Sequence, residues 1–238
     1  TVGSSSAVIK AFLVRRLMMG GEQAFRAAVG PCLALALVVA VAVTALTASL
    51  GYDAAINALA RRQNRWASIG WSAFPMIAGL VAPVAVPAWL WRQTSFRALA
   101  GPTFGAVVVA ITANLTLKVV TGRASPEAPF PTDLVARSQS FAFGIARGGI
   151  VEGWPSGHAM TNVAMATALI ALTPDLRVRA AATGWAAWVV AAVIFGISGD
   201  VHWLSDGVAG ALLGCAVGWR VARFGAGAPR SDKERSAG

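Results

Sequence analysis

Two short polar stretches interrupt the apolar second half of the 238-residue chain, and each holds one of its two histidines. The first is Pro155-Ser156-Gly157-His158, which comes directly before an apolar run. Pro and Ser in that position predict the start of a helix, where unpaired backbone N–H groups bind anions, phosphate above all. His158 would then lie in the first turn, facing the bound anion. The alternative interpretation is an ordinary helix cap with an interfacial histidine.

The second stretch contains His202 and, four residues later, Asp206. Residues four apart share one face of a helix, so the carboxylate can reach the imidazole. A carboxylate in that place fixes the tautomer of a histidine and stabilises its charged form, as nucleophilic and general-base histidines require. The alternative is a structural polar pair that closes the end of a helix.

Two cations, Lys118 and Arg123, stand at the predicted end of another apolar segment. Together they could neutralise a dianionic phosphate. Alternatively, each extends its charged end to lipid headgroups while its stem stays in apolar surroundings.

The composition predicts a membrane protein. Hydrophobic residues make up 56% of the chain and charged residues only 13%, whereas soluble domains have about 25% charged residues. The net charge of +10 comes from residues between apolar runs, so it is interpreted as topology-setting charge and not as a nucleic-acid surface. Cys32 and Cys215 both lie in apolar segments, and no disulfide is expected.

The apolar runs predict an all-α bundle of six transmembrane helices, because about 20 apolar residues cross a bilayer. Residues 1–28 are predicted to form an amphipathic segment at the membrane interface, with a solvated arm as the alternative. Residues 29–222 form the membrane domain, and residues 223–238 a disordered basic tail in the cytoplasm. The predicted spans are roughly 29–50, 68–91, 99–120, 157–173, 180–199 and 202–222.

The second span contains three prolines, Pro75, Pro83 and Pro87. Membrane helices tolerate such residues when neighbouring helices satisfy the freed carbonyl groups. Between the spans, the polar segment 51–66 is compatible with a helix, and 121–157 is the longest polar connection. A connection of that length in a small protein is usually functional.

The distribution of Lys and Arg orients the predicted bundle. Thirteen of these residues fall on the side of the two termini and seven on the opposite side. The positive-inside rule therefore places both termini in the cytoplasm. The polar residues singled out above then all lie at the outer face, namely Lys118, Arg123, His158, His202 and Asp206.

The chain resembles the type 2 phosphatidic acid phosphatase superfamily, whose pattern is Lys-x6-Arg-Pro, then Pro-Ser-Gly-His, then Ser-Arg-x5-His-x3-Asp. Residues 155–158 complete the second motif, and His202 with Asp206 keeps the end of the third. The resemblance covers roughly residues 30–222. Two arginines are replaced, however: Ser125 and Gly196 stand at their expected positions.

The resemblance implies hydrolysis of a phosphomonoester with no metal or other cofactor. His202 attacks phosphorus to form a phosphohistidine, Asp206 orients His202, and His158 protonates the leaving alkoxide and then activates water. Arg123 is close enough to reach the first vacant arginine position, and Arg147 is our hypothesis for a replacement of the second. The phosphoryl oxygens would be held by Lys118, Arg123, Ser156, the Gly157 amide and Arg147.

The predicted substrate is a lipid phosphate, and the predicted location is the inner membrane of a bacterium with the site facing the periplasm or exterior. A phosphotransferase uses the same residues with a lipid or sugar hydroxyl in place of water. A vanadate-dependent haloperoxidase shares the histidines but is typically soluble. An alternative from another functional class is a non-catalytic protein whose degenerate site only binds or transports anionic lipid.

Overall fold

A computed structural model describes residues 30–145, 147, 153–197 and 201–227. Within these residues the chain forms eight helices and one two-stranded sheet. The predicted interfacial segment 1–28 lies outside the described residues. The elements in chain order are α1 (Pro31–Ser49), α2 (Tyr52–Arg61), α3 (Arg65–Arg92), α4 (Arg97–Val120), β1 (Thr121–Arg123), α5 (Leu134–Ser138), β2 (Phe141–Phe143), α6 (Gly157–Leu172), α7 (Leu176–Phe195) and α8 (Leu204–Gly227).

Four of these helices, α1, α3, α4 and α7, are long and apolar enough to cross a membrane. The two remaining predicted spans are also helices at their predicted places. However, α6 has only 16 residues, and α8 carries Asp206, Arg220 and Arg223. The helical bundle is therefore confirmed, while the count of six spans stays a prediction.

Helix α8 continues to Gly227, beyond the predicted start of the tail at residue 223. Two cation–π pairs support its last turns: the Arg220 guanidinium lies 5.1 Å from the Phe224 ring centre, and that of Arg223 lies 4.8 Å from the Trp219 ring centre. Residues four apart on a helix are neighbours, and such cation–ring contacts are favourable. Residues 228–238 lie outside the described part of the chain.

The connection 121–157 departs from the all-α prediction. Strands β1 and β2 pair antiparallel, with Thr121 opposite Phe143. Between them, the Asp133 carboxylate caps α5 by accepting from the Ala136 N–H at 2.7 Å. The Arg137 side chain donates to the Pro131 carbonyl at 2.6 Å. These local bonds satisfy backbone groups within the loop.

The prolines of α3 free carbonyl groups that other helices then use. Pro75 lacks the N–H that would bond the Trp71 carbonyl, and the Trp188 indole donates to that oxygen at 3.1 Å. Pro83 likewise frees the Gly79 carbonyl, which accepts from the Asn162 side chain at 2.9 Å. Both bonds tie α3 to the bundle, as the membrane setting requires.

Helices α6 and α8 pack closely through glycines four residues apart on α8. A Cβ atom added at Gly210, Gly214 or Gly218 would lie 2.4–2.6 Å from a carbonyl oxygen of α6. Those carbonyls belong in turn to Ser156, Met160 and Ala164, so the two helices run parallel. Small residues allow this close backbone approach between membrane helices. The first turns of α6 and α8 consequently lie side by side.

Candidate functional site

A cavity of about 260 Å³ opens between α3, α4, the first turn of α6 and His202, which lies just before α8. Its polar end is formed by Lys118, His158 and His202, with Asn114, Gly157 and Thr161 beside them. Its other wall consists of apolar residues of α3 and α4: Gly79, Leu80, Pro83, Val84, Ile111 and Leu115. The structure thus brings together three side chains that the sequence predicted for one site.

His202 is buried beside Asp206, but it lies two residues before α8 and not on the helix that the four-residue spacing predicts. Its Nδ1 lies 3.4 Å from Asp206 Oδ2, and it makes no hydrogen bond with any described residue. The two groups are therefore close neighbours but short of hydrogen-bond geometry. The same Oδ2 accepts from the Trp203 N–H at 2.9 Å, which holds the carboxylate against the start of α8.

His158 is held by α3 and not by a carboxylate. Its Nε2 lies 3.2 Å from the Met76 carbonyl oxygen. Because a carbonyl only accepts hydrogen bonds, a hydrogen bond here requires the proton on Nε2. Nδ1 is then the nitrogen that remains for proton transfer. Asn162 supports the arrangement: its amide donates to the His158 carbonyl at 2.9 Å, and its oxygen accepts from the Trp185 indole at 2.9 Å.

The loop before His158 is fixed by hydrogen bonds from three sides. Asn114 donates to the Pro155 carbonyl at 2.9 Å, and the Thr121 hydroxyl donates to the Trp154 carbonyl at 3.0 Å. The Ser156 N–H donates to the backbone carbonyl of Asp206 at 3.0 Å. Ser156 is the N-cap of α6, which confirms the predicted helix start. The last of these bonds ties the loop directly to the first turn of α8.

The predicted cations have different environments. Lys118 is only 4% exposed and lines the cavity. Arg123 is also buried, but its guanidinium donates to Asp53 and Asp206 and does not line the cavity. Arg147 is exposed and lies against Gly144, away from the cavity. Of the three cations, only Lys118 lines the cavity together with both histidines.

A sequence model of the PAP2 superfamily matches residues 98–229, more than half of the chain. The chain belongs to the PAP2 superfamily. Comparisons with curated proteins and with solved structures gave no match. PAP2 members are generally phosphatases, so the family supports a phosphoric-ester hydrolase, and the apolar helices make this member a membrane protein.

Of the two arginine positions of the PAP2 pattern, residue 196 has no room for a side chain in this member. At residue 196 a Cβ atom would lie 2.3 Å from the Cβ of Ser72, so a side chain fits only if α3 moves. The Ser72 hydroxyl instead accepts from the Ile197 N–H at 3.0 Å. At the other position, Ser125 is 9% exposed. Neither place can supply a phosphate-binding guanidinium.

Several residues that support the PAP2 site were not predicted from the sequence. They are Asp53, Asn114, Asn162 and Ser205, all buried. Asp53 did carry a signal, because it is the only acidic residue between Glu22 and Glu127. The asparagines carry no comparable signal, since a buried amide in an apolar helix has no fixed spacing from its partners.

Proposed function

We propose that this PAP2 member is a lipid-phosphate phosphatase that hydrolyses a phosphomonoester or diphosphate through a phosphohistidine on His202. The single observation that carries the proposal is the cavity, which joins two histidines and Lys118 to an apolar wall. Nucleophile, proton donor and cation are all side chains of the chain itself, so the proposed reaction needs no metal ion.

The apolar wall supports a lipid as the substrate. Leu80 and Val84 line the cavity and are also 67% and 58% exposed on α3, on a surface predicted to contact lipid. A phosphate at the polar end would therefore leave its hydrophobic chain between α3 and α4, in contact with the bilayer. A small soluble phosphoester would leave this wall unused.

In the first proposed step, His202 attacks phosphorus with Nε2, because Nδ1 faces Asp206. The new P–N bond forms as the bond from phosphorus to the lipid oxygen breaks. His158 gives a proton to that leaving oxygen, which departs as a neutral alcohol from a monoester or as part of the lipid monophosphate from a diphosphate. The Asp206 carboxylate balances the positive charge that the imidazole gains.

In the second proposed step, water attacks the phosphohistidine. His158, now neutral, takes a proton from the water as the new P–O bond forms. The P–N bond breaks, and its electron pair returns to His202. Inorganic phosphate leaves, and both histidines regain their starting states.

Lys118 and the first turn of α6 are proposed to hold the phosphoryl oxygens. The ammonium group offers a compact positive charge, and the N-terminal N–H groups of a helix favour anions. Catalysis of phosphoryl transfer rests mainly on such positioning and charge stabilisation. Lys118 therefore supplies a larger share of the charge stabilisation than a lysine accompanied by two arginines would.

The proposed site faces the outside of a bacterial inner membrane. This orientation rests on the excess of Lys and Arg on the side of the termini. Lys118, His158 and His202 share one end of the bundle, so a single assignment of that end decides the location of the whole site.

The direct experiment measures inorganic phosphate released from a panel of lipid phosphates by the purified protein in vesicles. The panel contains phosphatidate, phosphatidylglycerophosphate, an isoprenoid diphosphate and a lipid A phosphate, each with and without chelator. We expect release from at least one lipid, unaffected by chelator and abolished by His202→Ala. Equal background release of phosphate by the wild type and by His202→Ala would refute the enzymatic function. A phosphorylated acceptor in place of free phosphate would identify a transferase.

A further inference from the structure

A buried cluster of charged side chains lies directly behind His202. Asp53 of α2, Arg123 of β1 and Asp206 of α8 are each 5% exposed or less. Arg123 bridges the two carboxylates: Nη2 donates to Asp53 Oδ2 at 2.7 Å, and Nη1 donates to Asp206 Oδ1. The guanidinium also lies 5.0 Å from the Phe141 ring centre and 5.8 Å from that of Trp203.

Asp53 also binds the start of α8 directly. Its Oδ1 accepts from the Ser205 N–H at 2.9 Å, and its Oδ2 accepts from the Ser205 hydroxyl at 2.7 Å. A carboxylate at a helix N-terminus satisfies free N–H groups and interacts favourably with the helix dipole. Asp53 therefore holds both the first turn of α8 and the cation that binds Asp206.

The two carboxylate oxygens of Asp206 have different partners, and this links Asp53 and Arg123 to His202. Arg123 occupies Oδ1, so Oδ2 is left for the Trp203 N–H and for His202 Nδ1. With one guanidinium and two carboxylates, the cluster has a net charge of −1 before His202 is counted. The positive charge that the imidazole gains when it bonds phosphorus brings the buried group to neutrality, which costs less than an unbalanced buried charge.

We propose that Asp53 is a positioning residue for the reaction: through Arg123 and Ser205 it fixes the Asp206 carboxylate and the charge that supports His202. This inference rests on the proposed function, since it concerns the phosphohistidine step. It also assigns Arg123 to the support of Asp206 and not to the phosphate. Asp53 lies outside the matched family segment, residues 98–229.

The test is the rate constant of phosphoenzyme formation in the first turnover, measured by rapid quench with a saturating excess of a radiolabelled lipid phosphate that the wild type hydrolyses. This rate constant does not depend on the fraction of protein that is correctly folded, whereas the amplitude does. For Asp53→Asn we expect a rate constant at least tenfold lower with KM within about twofold of wild type, since one charged hydrogen bond is worth about a factor of ten or more. Asp53→Glu should recover part of the loss.

Asn57→Ala is the matched control, because Asn57 is buried one turn later on the same helix and bonds Arg61. It should keep the wild-type rate constant. Arg123→Lys is a second variant in case Asp53→Asn does not fold. A lysine cannot bridge two carboxylates in the planar way of a guanidinium, so the same slow phosphorylation is expected.

A wild-type rate constant in either Asp53→Asn or Arg123→Lys, even with reduced amplitude, would overturn the inference and leave the phosphatase proposal intact. The same holds if Asn57→Ala slows phosphorylation as much as Asp53→Asn does. No phosphoenzyme in the wild type would instead refute the proposed function itself.

Discussion

At the scale of single residues, the two histidines differ in the group that each faces. His202 Nδ1 lies beside a carboxylate, while His158 Nε2 lies beside a backbone carbonyl. A carboxylate favours the positive imidazole, which suits a nucleophile that becomes a phosphohistidine. A carbonyl fixes the tautomer without adding a negative charge, which suits a residue that must both give and take a proton.

His158→Ala should slow the reaction in a way that depends on the leaving group. General acid catalysis contributes about 10²–10⁴-fold, so hydrolysis of an alkyl lipid phosphate should fall by that factor. An aryl phosphate, whose leaving phenol needs little protonation, should lose much less. The measurement is kcat for both substrates with wild type and variant. An equal loss on both would contradict the role of His158 as proton donor.

Lys118 and Arg147 are the two candidates for phosphate binding that can be compared, one buried in the cavity and one exposed. Lys118 lines the cavity, so Lys118→Met should lower kcat/KM at least tenfold, because it removes a charge that stabilises the transition state. If Arg147 replaces the second motif arginine, Arg147→Ala should also weaken turnover or substrate affinity. Steady-state kinetics decide both. Unchanged kinetics in Arg147→Ala would refute the replacement hypothesis.

The sequence predicted the reacting side chains better than it predicted the side chains that hold them in place. Lys118, His158 and His202 were found from residue type and spacing, and they do line one cavity. The assignment of Arg123 to phosphate followed from its place near a motif. Its actual partners are 70 and 83 residues away in sequence, and no local pattern predicts which of two possible anions a buried guanidinium will bind.

At the scale of elements, the parallel packing of α6 and α8 brings the two motifs together. The glycine face of α8 lies against the backbone of α6, and Gly210 lies against the carbonyl of Ser156 itself. The distance between the loop before His158 and the first turns of α8 is therefore set by the absence of a side chain at residue 210. Any atom added there pushes the two motifs apart.

Gly210→Ala should destabilise the protein and reduce its activity. The added Cβ atom would lie 2.6 Å from Ser156 O, and overpacking of this kind costs about 1–3 kcal/mol. The thermal midpoint in detergent and the rate of phosphate release should both fall. Gly184→Ala on α7 is the matched control, because nothing lies within 4 Å of its added Cβ. Equal stability of the two variants would contradict the packing account.

The six helices at the predicted spans were located from hydropathy to within about five residues, because apolar runs bounded by polar residues are a strong signal. The short helix α5 was not predicted. The two strands were not predicted. Each has only three residues, and they pair across a loop whose order comes from side-chain bonds to carbonyls, such as those of Arg137. Tertiary contacts of that kind leave no periodic trace in the sequence.

At the scale of the whole molecule, the bundle encloses the polar end of the cavity and leaves the apolar wall accessible from the side. The hydrophobic chain of a lipid could then remain in the bilayer while its phosphate reaches the histidines. Such an arrangement removes the need to extract the lipid from the membrane. It also predicts that the groove between α3 and α4 distinguishes lipid substrates from soluble ones.

Val84→Trp should obstruct this groove. KM for a long-chain lipid phosphate should rise several-fold, while hydrolysis of a short soluble phosphoester should change little. Val81→Trp is the matched control: both valines are 58% exposed on α3, but Val81 does not line the cavity. The measurement is kinetics of each variant on both substrates. The same KM in the two variants would contradict lateral entry of the lipid.

The central claim is that phosphate passes through a covalent bond to His202. The measurement is an alkaline quench of the enzyme during turnover of a radiolabelled lipid phosphate, followed by mass spectrometry of its peptides, since phosphohistidine is lost in acid. We predict phosphate on His202 in the wild type, none in His202→Ala, and none on His158. Turnover of the same substrate with no label on His202, or with label on another residue, would contradict the account.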